Sequence, residues 1–191
     1  MLLLILGLVL FLGIHSVRIV ADGARTSFIA RRGAGPWKGL YALVSAIGLV
    51  LVVIGYGQAR GGAPLLSLGA DARYATYVLV WLGFVLVTAA YWPANHFRRA
   101  IGDPMVAGIG LWALGHLLVN TTPAALVLFG AFLVWAVIDY LSLRVRARTA
   151  PALPAPASVL NTVLATVAGT VAWAVFAALL HKWLIGVSPF A

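Results

Sequence analysis

Cysteine is absent from the 191 residues, which excludes disulfides, thiolate metal ligands, iron–sulfur clusters and a cysteine nucleophile. Charge is scarce as well. Only 9% of the residues are charged, and glutamate does not occur, whereas soluble domains carry about 25% charged residues. A carboxylate-rich di-iron centre needs several Asp or Glu together, and four histidines without a carboxylate cluster argue against one. The glycines and prolines are spread along the chain, which excludes collagen-like and low-complexity sequence. A phosphate-binding loop ending in Gly-Lys-Ser/Thr is missing. No internal repeat supports an inverted-repeat transporter.

What is present is apolar. Hydrophobic residues make up 63% of the chain, and the mean hydropathy is +1.06. A chain of this length suits one domain, so the composition describes a small polytopic membrane protein. The net charge of +9 lies in short clusters between apolar runs. That pattern fits loops against anionic lipid headgroups rather than a surface for nucleic acid.

A membrane-spanning helix needs about 20 apolar residues to cross a hydrocarbon layer of about 30 Å. Six stretches qualify or come close: Leu2–Ala21, Leu40–Gln58, Tyr74–Trp92, Pro104–Val119, Pro123–Leu143 and Ser158–Ile185. Their connections alternate in charge. The first carries Arg25, Arg31, Arg32 and Lys38, the third Arg98 and Arg99, and the fifth Arg144, Arg146 and Arg148. The second has Arg60 and Arg73 beside Asp71, and Asn120-Thr121-Thr122 in the fourth is uncharged. The positive-inside rule then places the odd loops in the cytoplasm. The expected fold is an all-α integral membrane protein, a six-transmembrane-helix bundle with both termini on the periplasmic side. Trp37, Tyr41, Tyr91, Trp92 and Tyr140 at one level, and Tyr56, Tyr74, Tyr77 and Trp183 at the other, mark the headgroup regions. Positive charge comes after the first apolar run instead of preceding it, so that run is read as a retained helix and not a signal peptide. Pro151, Pro154 and Pro156 make Thr149–Ala157 an extended linker.

Polar side chains within the spans are costly and therefore informative. His15, Arg18 and Asp22 are spaced to share one face of the first helix, and Asp139 lies at a similar depth on the fifth. An ion pair of Asp139 with Arg18 or His15 is expected there. Near His116, Gly108 and Gly115 are seven apart and share a face, which admits another helix or a flat ligand, and Asn120 lies one turn past His116, where it can orient the ring. His181 comes after the last apolar run near the outer face, and His96 sits among headgroups. Neutral imidazole is a good haem-iron ligand, and a bundle core of small and aromatic residues with inward histidines can hold haem b.

Leu12-Gly13-Ile14-His15-Ser16-Val17-Arg18, Lys38-Gly39-Leu40-Tyr41-Ala42-Leu43-Val44-Ser45 and Gly55-Tyr56-Gly57-Gln58-Ala59-Arg60 resemble the opening of NnrU-family proteins. The resemblance continues through Leu111-Trp112-Ala113-Leu114-Gly115-His116-Leu117-Leu118-Val119-Asn120, its most specific block, then Trp135-Ala136-Val137-Ile138-Asp139 and His181-Lys182-Trp183-Leu184-Ile185-Gly186-Val187. It spans nearly the whole chain, as one domain over residues 1–191.

That family is associated with denitrification and nitric oxide metabolism. It is similar to the plant and cyanobacterial cis-zeta-carotene isomerase, a haem-b membrane protein activated when its iron is reduced and a histidine ligand is released. The resemblance implies a multi-pass protein of the bacterial inner membrane with a bis-histidine haem on His15 and His116, acting on a hydrophobic polyene or on nitric oxide.

The sequence departs from the family at Gly102-Asp103-Pro104, where His-Pro is common. By depth, His15 and His116 lie about 10 Å apart along the helix axes at a rise of 1.5 Å per residue, and His116 with His181 is the geometrically easier pair. Two other readings compete. The segment Gly102 to Gly108 echoes that of isoprenylcysteine-type methyltransferases, which use S-adenosylmethionine, but it lacks their Arg and His. A non-catalytic accessory or transport protein for denitrification fits the scarcity of intramembrane acids and bases.

Overall fold

The computed structural model describes residues 1–149 and 156–190. Their regular structure is helical: α1 (Leu2–Val20), α2 (Asp22–Arg32), α3 (Ala34–Ala59), α4 (Ala70–Tyr91), α5 (His96–Ile101), α6 (Pro104–Val119), α7 (Pro123–Thr149) and α8 (Val159–Val175). A π-helical turn, Phe176–Leu180, carries α8 on into α9 (His181–Ile185). The proline-rich linker expected at Thr149–Ala157 falls mostly outside the described residues.

Among the described residues, five helical stretches are long and apolar enough to cross a bilayer: α1, α3, α4, α7, and α8 with its continuation. The expected fourth span is α6, which has the predicted bounds. At 16 residues it is about 24 Å long, short of the hydrocarbon thickness. Pro104 opens it at a position where a missing N–H costs nothing.

Two helices lie outside the expected spans. The first helix does not reach Asp22 as predicted, because Ala21 leaves the helical region at φ −144°, ψ 39°. Asp22 instead begins α2, where its carboxylate faces a helix N-terminus, and Arg31 and Arg32 close the same helix at its negative end. No residue of α2 is buried. The short α5 is started by Asn95, whose side chain accepts from the Arg98 amide at 2.9 Å.

Side-by-side packing runs in the order α3, α1, α7, α6, α4, α8. Small residues let these helices approach closely. A Cβ on Gly55 of α3 would lie 2.3 Å from the Leu4 backbone nitrogen of α1, and one on Gly169 of α8 would lie 2.6 Å from the Val85 Cα of α4. Without a solvent-driven hydrophobic effect between helices in lipid, such backbone proximity is a main source of association. Leu4, Leu8, Val52, Ala113, Ala125, Leu128 and Phe129 form the buried core. Rows of exposed apolar residues, such as Leu43, Val50, Val163 and Leu179, face outward and need an apolar covering. A lipid bilayer supplies one.

One end of the bundle carries all the lysines and arginines except Arg60, Arg73 and Lys182. It is tied by hydrogen bonds from the Tyr140 hydroxyl to the Ile101 carbonyl (2.9 Å) and from the Ser158 amide to the Ala94 carbonyl (2.7 Å). At the opposite end the Leu65 amide reaches the Thr121 carbonyl (3.1 Å), and Arg60 donates to the Ile185 carbonyl.

Candidate ligand pocket

A cavity of about 240 Å³ opens at the less basic end, between α4, α6 and the last helix. Helix α6 contributes Trp112 and His116, with Asn120 just past its C-terminus, and α4 contributes Arg73, Thr76 and Tyr77. The third wall comes from Trp173, Phe176 and His181, and Ser188 and Pro189 fold across the remaining side. The two helical walls α4 and α6 are fixed by their glycines: a Cβ on Gly108 would meet the Gly83 carbonyl at 2.7 Å. The Thr76 hydroxyl has one hydrogen to share between the Ala72 and Gly115 carbonyls, each 2.8 Å away.

His116 is held at both ends of its ring system. Its Nδ1 lies 2.8 Å from the Trp112 carbonyl, and its ring stacks on Phe129 at a centroid distance of 4.7 Å. A carbonyl can only accept, so Nδ1 carries the hydrogen and Nε2 of the neutral ring is a free lone pair. Asn120 does not orient the ring as expected. Its amide donates to the His116 backbone carbonyl at 3.1 Å, because one helical turn brings it to the main chain of that residue and not to the imidazole.

His181 reaches the cavity through the π-helical turn. Its amide N–H bonds to the Phe176 carbonyl, five residues back, which adds a residue to that turn and rotates the helix beyond it. Its Nδ1 is 2.6 Å from the Val187 carbonyl, so Nε2 is again the free atom. The tail that supplies this carbonyl turns at Gly186, φ +79°. Tyr77 fastens it by donating to the Pro189 carbonyl at 2.8 Å.

His15 belongs to a different cluster. Its Nδ1 lies 2.6 Å from the Phe11 carbonyl. Its ring stacks on Phe11 (4.3 Å), with Tyr41 at 5.0 Å and the edge of Trp135 at 6.0 Å. Phe11 contacts Phe132 (5.8 Å), Phe132 contacts Trp112 (5.4 Å), and Trp112 contacts His116 (5.1 Å). His15 and His116 are thus linked by three aromatic side chains and do not face one another across a shared cavity. Among the described residues, the buried Nε1 of Trp135, whose ring meets that of His15, and the buried Ser45 Oγ make no hydrogen bond.

The expected ion pairs are rearranged. Asp139 pairs with Arg146 on its own helix at 3.8 Å, and Arg18 and His15 act on it only through space. Asp22 pairs with Arg25 at 3.5 Å, since both lie on α2. His96 meets the Thr162 hydroxyl at 2.8 Å and joins α5 to α8. Among the described residues, no group of three or more histidines and acids could hold a bare metal ion. A haem asks for less, because its macrocycle supplies four of the iron's ligands and the protein one or two.

A family model described as NnrU protein matches residues 3–189. The chain belongs to the NnrU family. No curated protein and no solved structure matches it. In this NnrU chain the cavity residues that sequence reasoning passes over are Arg73, Tyr77, Trp173 and Phe176. Arg73 reads as a loop charge and Tyr77 as a headgroup aromatic. Their spacing of four residues on a helix, which puts both on one face, is the available signal.

Proposed function

We propose that this NnrU-family protein is a haem-b protein of the bacterial inner membrane whose iron is carried by His116 and His181. Support for the reading comes from one observation: the two imidazoles line the same cavity, each with Nδ1 tied to a backbone carbonyl and Nε2 left as a free donor of electrons. Histidines that hold a metal by Nε2 are commonly oriented in this way by their other nitrogen. The flat apolar walls of Trp112, Trp173 and Phe176 suit a macrocycle. The volume is below the range of about 300–1,000 Å³ usual for small-molecule sites. A tetrapyrrole therefore requires the cavity to open, and Ser188 and Pro189 form the wall that is not helical.

The pairing implied by the isomerase resemblance, His15 with His116, joins side chains that are connected through Phe11, Phe132 and Trp112. His116 and His181 line one cavity, and are the pair proposed. When bound, haem would supply a redox-active Lewis-acidic iron, the chemistry common to nitric oxide binding and to redox-gated isomerisation of a polyene. The protein's own part is to present two imidazoles through their Nε2 atoms, to set His116 between Trp112 and Phe129 and His181 against Phe176, and to cover one side of the cavity with the tail. In the same reading α6 completes a six-span bundle between α4 and α7, and the basic end faces the cytoplasm.

Absorption spectra of the purified protein, oxidised and reduced, test this. A Soret band that shifts on reduction is expected. Its absence after haem-supplemented expression overturns the proposal.

A further inference from the structure

We infer that the mouth of this cavity recognises a carboxylate, with Arg73 as the residue that reads it. The inference deepens the haem reading and rests on it only for which carboxylate is bound: a haem propionate, or the head of a long-chain fatty acid.

Most of the hydrogen-bonding capacity around the cavity is already in use. The Thr76 hydroxyl is committed to Ala72 and Gly115, and the Tyr77 hydroxyl to Pro189. Ser188 accepts from the Phe190 amide at 3.3 Å, and the Asn120 amide donates to His116. Each cavity histidine has its Nδ1 in use. Uncommitted among the lining groups are the two Nε2 atoms, the neutral indole N–H groups of Trp112 and Trp173, the Ser188 hydroxyl hydrogen and one full charge, the Arg73 guanidinium. Arg73 makes no hydrogen bond or ion pair with a described residue. Asp71 is two residues away, a spacing that does not bring side chains together on a helix. No acid lines the cavity. At this end of the bundle Arg60 is already committed to the Ile185 carbonyl.

A cation at the rim of an aromatic, apolar cavity fits an amphipathic anion better than any neutral lipid. The guanidinium fork matches a carboxylate in bidentate fashion. The imidazoles need something different, an electron-pair acceptor. A ligand that satisfies both carries a carboxylate and a Lewis acid in one molecule; a fatty acid satisfies only the first.

The test compares acids with their esters on the full chain in non-ionic detergent. One arm titrates apoprotein with haem b and with haem dimethyl ester, reading the Soret band. The other titrates it with a brominated long-chain fatty acid and its methyl ester, reading quenching of tryptophan, since Trp112 and Trp173 line the cavity. Partial exposure of the pair limits the expected preference for acid over ester to about threefold to tenfold. Arg73→Gln should abolish the preference and Arg73→Lys should keep part of it.

Preference lost in the haem arm identifies a propionate as the ligand group. Preference lost only in the fatty-acid arm, with no Soret band in the parent protein, upholds carboxylate recognition and overturns the haem reading. Equal binding of acid and ester, a preference that survives Arg73→Gln, or no binding in either arm overturns the inference. A parent Soret band in those cases leaves the haem reading standing.

Discussion

Tyr77 of α4 donates its phenolic hydrogen to the Pro189 carbonyl at 2.8 Å, and the Phe190 ring packs against the same tyrosine at 5.7 Å. A residue near the start of one helix thereby holds down a tail more than a hundred residues later in the chain. Tyr77→Phe keeps the ring contact and removes the hydrogen bond, worth about 0.5–1.5 kcal/mol. Faster amide exchange over residues 186–190, with exchange in α4 and α6 unchanged, is the expected result.

The proposed ligands give a three-way comparison. His116→Ala and His181→Ala should each change the Soret spectrum of the reduced protein, and the double variant should lose it. His15→Ala should leave it in place. A spectrum lost in His15→Ala but kept in His181→Ala would transfer the iron to the pair that the isomerase resemblance implies.

Close helix contacts predict a contrast between glycines. Gly55→Ala drives a methyl group into the Leu4 backbone, and Gly169→Ala drives one into Val85. Overpacking of this kind costs about 1–3 kcal/mol, seen as a lower unfolding temperature in detergent. Gly57→Ala, with nothing within 4 Å of the new atom, should be neutral or slightly stabilising, by up to about 1 kcal/mol from helix propensity.

Helices α4 and α8 are joined by the Trp81 indole N–H and the Thr170 hydroxyl at 2.9 Å. Thr170→Val preserves the shape and removes the acceptor. Interhelical hydrogen bonds in membranes average about 0.6 kcal/mol, so the unfolding free energy in detergent should fall by about that amount.

Sidedness can be read without a background, because the chain has no cysteine. Ser27→Cys in α2 and Ser67→Cys between α3 and α4 are both exposed positions. With the basic end in the cytoplasm, a membrane-impermeant thiol reagent should label Ser67→Cys in intact cells and label Ser27→Cys only after lysis. The reverse pattern would invert the proposed orientation.

Hydropathy makes the long helices legible, since a bilayer demands an unbroken apolar run, and it locates α6 closely because Pro104 and the Asn120-Thr121-Thr122 break bracket it. It does not reveal α2, which is short, polar and exposed and so contains no run of the required kind. His116 and His181 stand out as imidazoles at apolar addresses. Arg73 and Tyr77 do not, because charge and aromatic rings are ordinary at a membrane surface and only the approach of the tail makes them part of a cavity. The partner of Asp139 escapes for a similar reason. α7 continues as a helix to Thr149, which carries Arg146 within reach of Asp139, two turns from it along the same helix.

The widened turn at Phe176–Leu180 acts as an indexing device for the imidazole just beyond it. Each residue of an α-helix advances the azimuth by about 100°. Straightening the turn to ordinary pitch at unchanged length would carry His181 about 100° round the axis and away from the cavity, while the helix before it stayed apolar and intact. Insertion, packing and overall helicity would survive such a change, yet the second imidazole would leave the site. A chain of nearly the same composition can therefore keep its fold and lose its ligand, with a single backbone slot separating the two outcomes.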